Sequence, residues 1–509
     1  VVAAGIVATR VLARRRSAQL ERREARNRYL AAESSRVADR VEVAEAAQPK
    51  VGDDELGVDQ LAALRWCLDR ALQPVEGFDG FDRIDQFQTS AVRYQINQLG
   101  WTLAVAQGRC TPSFHGYLSE AQRRLIDKYL RPEVLGYWRW ESLWGHLNFD
   151  PDPVGRDNIM LTGYIGINLA LYMGNTGDRR YLEPGSLVFR VSDRHVYPHG
   201  AHDIVDSLMT NYAHYRDGFC LFPCEPNWVY PNCNIRGLKT LTAFDRVLGT
   251  ANAASIRECF RERLESDFMA PDSSLVSLRS NLTGFAVPFP VPDAILPKEL
   301  NPVFPDLAHR YWAIVRRELI DRRDGRCELR IPARNVDYGN YTFNDVFVID
   351  TFLGSAREMG DDEIAEIALA RLDGDARRTV ANGALSHRGV STFANATIAM
   401  DRILRANGWR DAITKSPPAS VFAGPILADA KYPDVLVAKA FSHGDDLELV
   451  LYPGREAGPQ PLRFERLKAG RRYALHGACD LDVLPDEHCG ATVTVPLRGR
   501  TVLQLRPVG

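Results

Sequence analysis

Two cysteines and the residues between them are the part of this sequence best suited to chemistry. Cys224 and Cys233 flank the stretch Phe222-Pro-Cys-Glu-Pro-Asn-Trp-Val-Tyr-Pro-Asn-Cys-Asn234. Pro226 and Pro231 lack an N–H donor and bias Glu225 and Tyr230 toward extended geometry, so the stretch reads as a stiff loop. Asn232 and Asn234 are good N-caps for the helical run that follows, over 235–248. Glu225 places a carboxyl beside the first thiol, and Trp228 and Tyr230 supply aromatic walls. A thiol titrates near pH 8.5, roughly, and can act as acid or base when a neighbour tunes it. Two thiols, one carboxyl and aromatics suit proton movement on an apolar substrate.

Three further stretches could line the same pocket. Met160, Tyr164 and Asn168 recur at i, i+4, i+8 and share one helix face. Tyr94, Gln98 and Trp101 share a face of an earlier helix. Tyr137, Trp138, Arg139, Trp140 and Trp144 form an aromatic cluster. Each pattern equally fits amphipathic core packing, and the cysteine pair taken alone equally fits buried structural thiols. Cys220-x3-Cys224-x8-Cys233 is not a zinc spacing. His199, His202 and His214 are a conceivable ligand set, but His199-Gly200-Ala201-His202 reads better as the cap of a helix. No metal is expected. No phosphate loop, dinucleotide fingerprint or nucleophile elbow occurs.

The elements that must position these residues are mostly helical. Helical periodicity covers 61–72, 89–106, 119–129, 133–147, 158–174, 201–215, 234–248, 253–267, 307–320, 343–359, 363–372 and 394–407. About a dozen helices joined by loops containing Pro and Gly predict six helical hairpins in two concentric rings, an (α/α)6 barrel with the site at its concave end. An open solenoid would show a fixed-period repeat, and none is visible. From Asp434 the period changes to short alternating runs at 435–441, 447–452, 473–476, 492–497 and 501–505, which predict a small antiparallel β-sandwich-like module. The expected domains are a basic N-terminal helix over 1–50, the barrel over 51–425 and the β module over 434–509. Residues 17–47 read as a solvated stalk and 48–57 as a linker. Residues 1–9 are apolar and Arg14-Arg15-Arg16 closes them, a run too short to span a bilayer alone but readable as the remnant of a membrane anchor.

With 63 basic and 65 acidic residues the chain is nearly neutral, which gives no electrostatic reason for a nucleic-acid partner. Nine cysteines at irregular spacings do not form a secreted disulfide framework and fit a reducing compartment.

The residues resemble a known family. Cys224-Glu225-Pro226-Asn227, five residues, then Cys233-Asn234 is similar to the two-cysteine motif of the linalool dehydratase/isomerase family. Asp157-Asn158-Ile159-Met160 with Gly163, Thr176-Gly177-Asp178-Arg179-Arg180-Tyr181, and Ala356-Arg357-Glu358-Met359-Gly360-Asp361 are similar to other stretches of it, over roughly 61–410. The resemblance implies an (α/α)6 barrel and acid–base dehydration, hydration or isomerisation of a terpene alcohol without a cofactor. It implies catalytic roles for Cys224 and Cys233, pocket positions for Glu225 and Met160, and a match of Tyr94 to the tyrosine of an early helix. Tyr164 stands where the family has a histidine. The loop carrying the family's aspartate is shorter here, and Asp85 is the candidate acid, with Asp79 and Asp82 as rivals. The β module and the basic N-terminal helix have no counterpart in that enzyme.

The expected function is therefore a lyase/isomerase acting on an apolar isoprenoid alcohol. Cys224, Cys233, Tyr164, Tyr94 and Asp85 would do the chemistry. Glu225, Met160, Asn168, Trp138, Trp140, Trp228 and Tyr230 would line the pocket. A carbohydrate-active barrel enzyme is the alternative, using Asp85, Glu141, Asp157 or Glu225 as acids and Trp138, Trp140 and Trp144 to stack sugars; a non-catalytic ligand-binding barrel is the third. The expected partners are a small apolar substrate, a membrane through the N-terminus and a second copy of the chain, with a cytoplasmic location.

Overall fold

The computed structural model describes residues 2–508, apart from 288, 324, 376 and 377. Among the described residues, six helices form a central ring: Val92–Cys110, Ile159–Thr176, Pro231–Leu248, Leu296–Leu300, Val346–Glu358 and Thr392–Ile403. Each packs on the next, and the last packs on the first, so the ring closes. Six more surround it: Val58–Ala71, Gly116–Tyr129, Ala201–His214, Asn252–Asp267, Pro305–Glu318 and Asp362–Asp375. The chain alternates between the rings, so the inner helices run the same way and present their N-termini at one end. This is the expected (α/α)6 barrel.

Burial follows ring position. Every residue of Ile159–Thr176 is buried, as an inner helix contacted on all sides requires. In the outer helix Gly116–Tyr129, Ala121 and Leu125 are buried, and Tyr117 is buried against the β module, where its hydroxyl accepts from Val437 N–H. The far end of the barrel is closed by a short helix the periodicity did not reveal, Gly408–Thr414, which packs against four inner helices. Its Trp409 is buried beneath Trp101, with ring centroids 5.9 Å apart. Short hairpins, such as Leu187–Ser192 with His195–His199, decorate the loops.

The β module consists of two antiparallel sheets. One has five strands, ordered Val435–Phe441, Leu447–Pro453, Thr501–Pro507, Tyr473–Gly477 and Leu481–Val483. The other has three, ordered Ile426–Ala430, Gly458–Glu465 and Ala491–Leu497. Gly458–Glu465 escaped the sequence reading because Pro459 and Pro461 argue against a strand. They are tolerated because Ile426–Ala430 pairs only with Leu462–Glu465, leaving both prolines where the strand has a single neighbour.

The N-terminal region departs from expectation. Residues 17–47 are not a free stalk. In the helix Leu30–Ala46, Leu30, Val37 and Val41 are buried, and this stripe packs on Pro305–Glu318. Arg26 donates to Glu318 at 2.8 and 2.9 Å and to Asp293 at 3.2 Å. Nor is 48–57 a free linker: Leu56 is buried and its N–H donates to Ala438 of the β module. The preceding helix spans Val2–Asn27. Among the described residues no helix is long and apolar enough to cross a membrane.

Candidate active site

The loop carrying Cys224 folds back on itself. Cys224 N–H donates to Trp228 O and Trp228 N–H to Glu225 O, each at 2.9 Å, around Asn227 in the left-handed region (φ 72°). Helix Pro231–Leu248 begins directly after, with Pro231 in its first turn, where a missing N–H costs nothing. The expected asparagine caps are corrected here. Tyr230 occupies the cap position, Asn232 and Asn234 lie inside the first turn, and the Asn234 amide clamps Phe222 instead. It accepts from Phe222 N–H at 3.0 Å and donates to Phe222 O at 2.9 Å. That clamp brings the start of the loop against the start of the helix, and so Cys224 against Cys233.

A close crossing brings in the second wall. An added Cβ on Gly163 would lie 3.0 Å from Gly237 N, and one on Gly237 would lie 2.7 Å from Ile159 Cδ1. Only glycine at both positions lets helices Ile159–Thr176 and Pro231–Leu248 approach this closely. One residue beyond Gly163, Tyr164 Oη then sits 3.7 Å from Cys233 Sγ. Arg236 donates to the same Oη through Nη1 at 2.5 Å. Tyr94 packs edge-on to Tyr164, with ring centroids 5.2 Å apart, and its hydroxyl lies 3.6 Å from Met160 Sδ. Trp101 covers the other side of Tyr164 at 5.8 Å. The two helix faces read from sequence spacing, 94/98/101 and 160/164, therefore meet.

Cys224 and Cys233 are both buried free thiols, and their environments pull them in opposite directions. Burial, the neighbouring Cys233 and Glu225 push Cys224 well above the usual thiol range. Cys233 is held below that range, first by the hydrogen bond from Cys224 and, against burial, by the Arg236 charge and Tyr164. Cys233 also lies in the first turn of its helix, where the backbone dipole favours an anion. Burial raises Tyr94 and Tyr164 well above their ordinary values, so both are neutral phenols. Burial and nearby Glu141 push Glu225 up to about 7. Tyr230 donates to Glu225 at 3.4 Å. The arrangement pairs a thiol of lowered proton affinity with one of raised affinity, with the neutral Tyr94 and Tyr164 phenols and the Arg236 charge around them.

The remaining candidates divide. Asp85 accepts from Tyr341 Oη at 3.1 Å and lies near enough to Glu225 to raise it. Its loop is pinned by fully buried Arg93, which donates to Phe87 O at 3.0 Å and also bonds Gln86 O. Asp82 is committed elsewhere, accepting from Thr392 N–H at 2.6 Å, and the backbone of Asp79 pairs with Gln73. Asn168 lies a turn below Tyr164, bonded to Asn97 at 2.7 Å between two inner helices. Trp138 is buried with its indole N–H on Asp152 O, Trp140 is partly exposed beneath Arg139, and Trp228 is held in a two-residue strand against Arg279–Ser280. His199 bonds Asp152 and lies beside Asp203, and His214 contacts Arg156. Arg236 and Arg93 were missed. Arg236 was findable at i+3 from Cys233 on the same helix, but Arg93 required the Asp85 loop to be placed.

The family model for linalool dehydratase/isomerase matches residues 93–393, more than half of the chain. The chain belongs to the linalool dehydratase/isomerase family. The match covers the first five inner helices, from the second residue of Val92–Cys110 on, the start of the sixth, both cysteines, Tyr94, Met160 and Tyr164. Family membership supports an enzyme of lyase/isomerase type. Two solved structures are similar at low identity. An unsaturated glucuronyl hydrolase specific for heparin is 10% identical with a TM-score of 0.42, covering 68% of this chain and 96% of its own. A GH127 β-L-arabinofuranosidase from Geobacillus Stearothermophilus T6 is 11% identical with a TM-score of 0.25, covering 93% and 80%. Neither likeness bears on the chemistry.

Proposed function

We propose that this protein is a cofactor-free hydro-lyase/isomerase of a small apolar isoprenoid alcohol, with Cys224 and Cys233 as its central proton-transfer pair. The observation that carries this reading is the opposed tuning of the two thiols. Groups whose environments drive their proton affinities apart are those that can serve as acid and base together. In dehydration, protonated Glu225 or the Cys224 thiol gives its proton to the hydroxyl. The C–O bond breaks with its electron pair, and water leaves. Cys233 thiolate removes the proton from the adjacent C–H, whose electrons form the new double bond. The proton gained by Cys233 passes back to the acid across the thiol pair, so the cycle closes without an external reactant. Return of the water to another allylic carbon gives isomerisation. We assign Tyr94 as a further donor toward the hydroxyl, with Asp85 acting on Glu225 from the neighbouring loop.

Tyr164 can serve where the family has histidine because Arg236 occupies its oxygen as a donor. The single phenolic proton is then free for Cys233, which supports the thiolate without taking part in its titration. The carbohydrate reading is less well supported. It needs one carboxyl kept ionised beside one kept protonated, whereas Glu141 and Glu225 are both displaced upward by burial. The test is turnover of geraniol or linalool under anaerobic, metal-free conditions, with loss in Cys224→Ala and Cys233→Ala. Full activity in either variant would overturn the thiol mechanism.

We also infer that the basic N-terminal stretch, with Arg14, Arg15 and Arg16 exposed, holds the chain at an anionic membrane surface. A chain beginning at Ser17 keeps the packed helix Leu30–Ala46 and should lose cofractionation with membranes; unchanged cofractionation would overturn the inference.

A further inference from the structure

A cavity of about 90 Å³ lies inside the barrel, beside the thiol site. Its walls include Trp101, Asn232, Arg236, Lys298, Asp350 and Trp409. Arg236 joins it to the thiol site, since the same guanidinium bonds Tyr164. A cavity this size exceeds the space one water needs, which is about 10–15 Å³ on the same measure. Most of its wall is apolar, as suits a space beside an apolar-alcohol site, but several polar groups reach into it.

Four buried polar atoms of its lining residues have no partner among the described residues: Trp101 Nε1, Arg236 Nε, Asn232 Oδ1 and Asp350 Oδ1. Trp101 and Asp350 are almost wholly buried, at 4% and 1% exposure. Buried polar groups are rarely left unpaired, because each costs its full desolvation. The surrounding charges are otherwise matched internally. Glu299 pairs with Arg236 at 3.2 Å and also bonds Lys239, while Lys298 bonds both oxygens of Asp401 at 2.7 and 2.8 Å. Three cations thus face two carboxylates and the Cys233 thiol, and burial and Asp401 hold Asp350 well above the carboxylate range. The unpaired set thus holds two fixed donors, the Trp101 indole N–H and the Arg236 Nε–H, beside the Asp350 carboxyl, whose raised proton affinity favours its O–H form, and one acceptor, the Asn232 amide oxygen.

The geometry points to a second recognition subsite, formed by Trp101, Arg236 and Asp350, for a hydrogen-bond-accepting oxygen function, a carbonyl or carboxylate, at the end of the substrate remote from the reacting alcohol. This inference rests on the hydro-lyase reading above. It narrows the substrate class from a plain isoprenoid alcohol to one already oxidised at its far end. The class of reaction that supplies such a substrate is a terminal oxidation of an isoprenoid chain. Arg236 serves both ends, donating through Nη1 to Tyr164 and holding Nε toward the cavity group.

The experiment is calorimetric titration of the full-length protein with geraniol and with its ω-oxo and ω-carboxy derivatives. Each is measured on wild type, Asp350→Ala and Asp350→Asn, beside turnover of the same compounds. An oxidised derivative should bind wild type at least about tenfold more tightly than geraniol, equivalent to roughly 1.4 kcal/mol. That preference should fall at least about threefold in Asp350→Ala and persist in Asp350→Asn, whose amide keeps a donor. A larger gain for the ω-carboxy than the ω-oxo compound identifies the carboxylate as the preferred end. Equal binding of all three ligands to wild type would mean that the cavity holds only water, and would overturn the inference. A preference untouched in Asp350→Ala would overturn it too. If Asp350→Ala does not fold, wild type and Asp350→Asn decide. Turnover of geraniol without preference leaves the thiol mechanism standing while the subsite fails; no binding and no turnover of any of the three overturns both.

Discussion

Tyr164 Oη lies 3.7 Å from Cys233 Sγ while Arg236 donates to that same oxygen at 2.5 Å. The relay assigns the phenolic proton to the thiolate. Removing the hydroxyl in Tyr164→Phe deletes one hydrogen bond to a charged group, worth about 1.5–3 kcal/mol. The Cys233 pKa should then rise by at least about one unit. Turnover should fall roughly tenfold near neutrality, and the rising limb of its pH profile, set by Cys233, should move to higher pH. The pH dependence of alkylation at Cys233 measures the shift directly; an unmoved profile would show that Tyr164 does not support the thiolate.

Cys224→Ser and Cys233→Ser should each leave the melting temperature nearly unchanged, since serine replaces one buried small side chain by another of similar shape. Turnover should fall about 10²–10⁴-fold, the contribution of a positioned acid or base, because a hydroxyl is a far weaker acid than a thiol. Thermal melts beside steady-state rates separate the two effects. Loss of folding with activity proportionate to the folded fraction would mark both thiols as structural.

Glu225 titrates upward, to about 7, through burial and Glu141. If its protonated form supplies the proton, the rate falls as pH rises through about 7, and Glu225→Gln loses that limb. Stability carries the same sign. A carboxyl raised in the folded state costs stability progressively as pH climbs from its unfolded value near about 4.3 to its folded value. Glu225→Gln should therefore raise the melting temperature more at pH 8 than at pH 5. The opposite ordering would place Glu225 in an environment that favours its charge.

Glu299 is buried, and Arg236 and Lys239 hold its pKa down at about 2 despite that burial. Glu299→Ala leaves two buried cations without their shared carboxylate, and should destabilise the fold by about 3–5 kcal/mol in urea denaturation. A loss below about 1 kcal/mol would mean that the cluster is wet and open.

Much of the architecture and of the thiol site is legible in the chain alone, for reasons that are local. Helical periodicity marks most of the twelve barrel helices, and the change of period after Asp434 announces the β module. The nine-residue separation of Cys224 and Cys233 across two prolines names the loop, and the spacing of Tyr94, Gln98 and Trp101, or of Met160 and Tyr164, names the faces that meet. The five-residue inner helix Leu296–Leu300 has no usable period, and Gly408–Thr414 is too short to show one. Tertiary structure decided the rest, because it depends on which faces close on one another. Glycines 163 and 237 act only once two helices cross there, and their crossing sets Tyr164 beside Cys233. Arg26 reads as one charge in a basic helix until Glu318 and Asp293 arrive from nearly 300 residues away. Asp350 is an ordinary acid in an amphipathic helix until ring closure buries it near Arg236 and Lys298. Sequence determines which groups are available; packing determines which of them lose water, and loss of water is what gives these thiols and carboxyls their proton affinities.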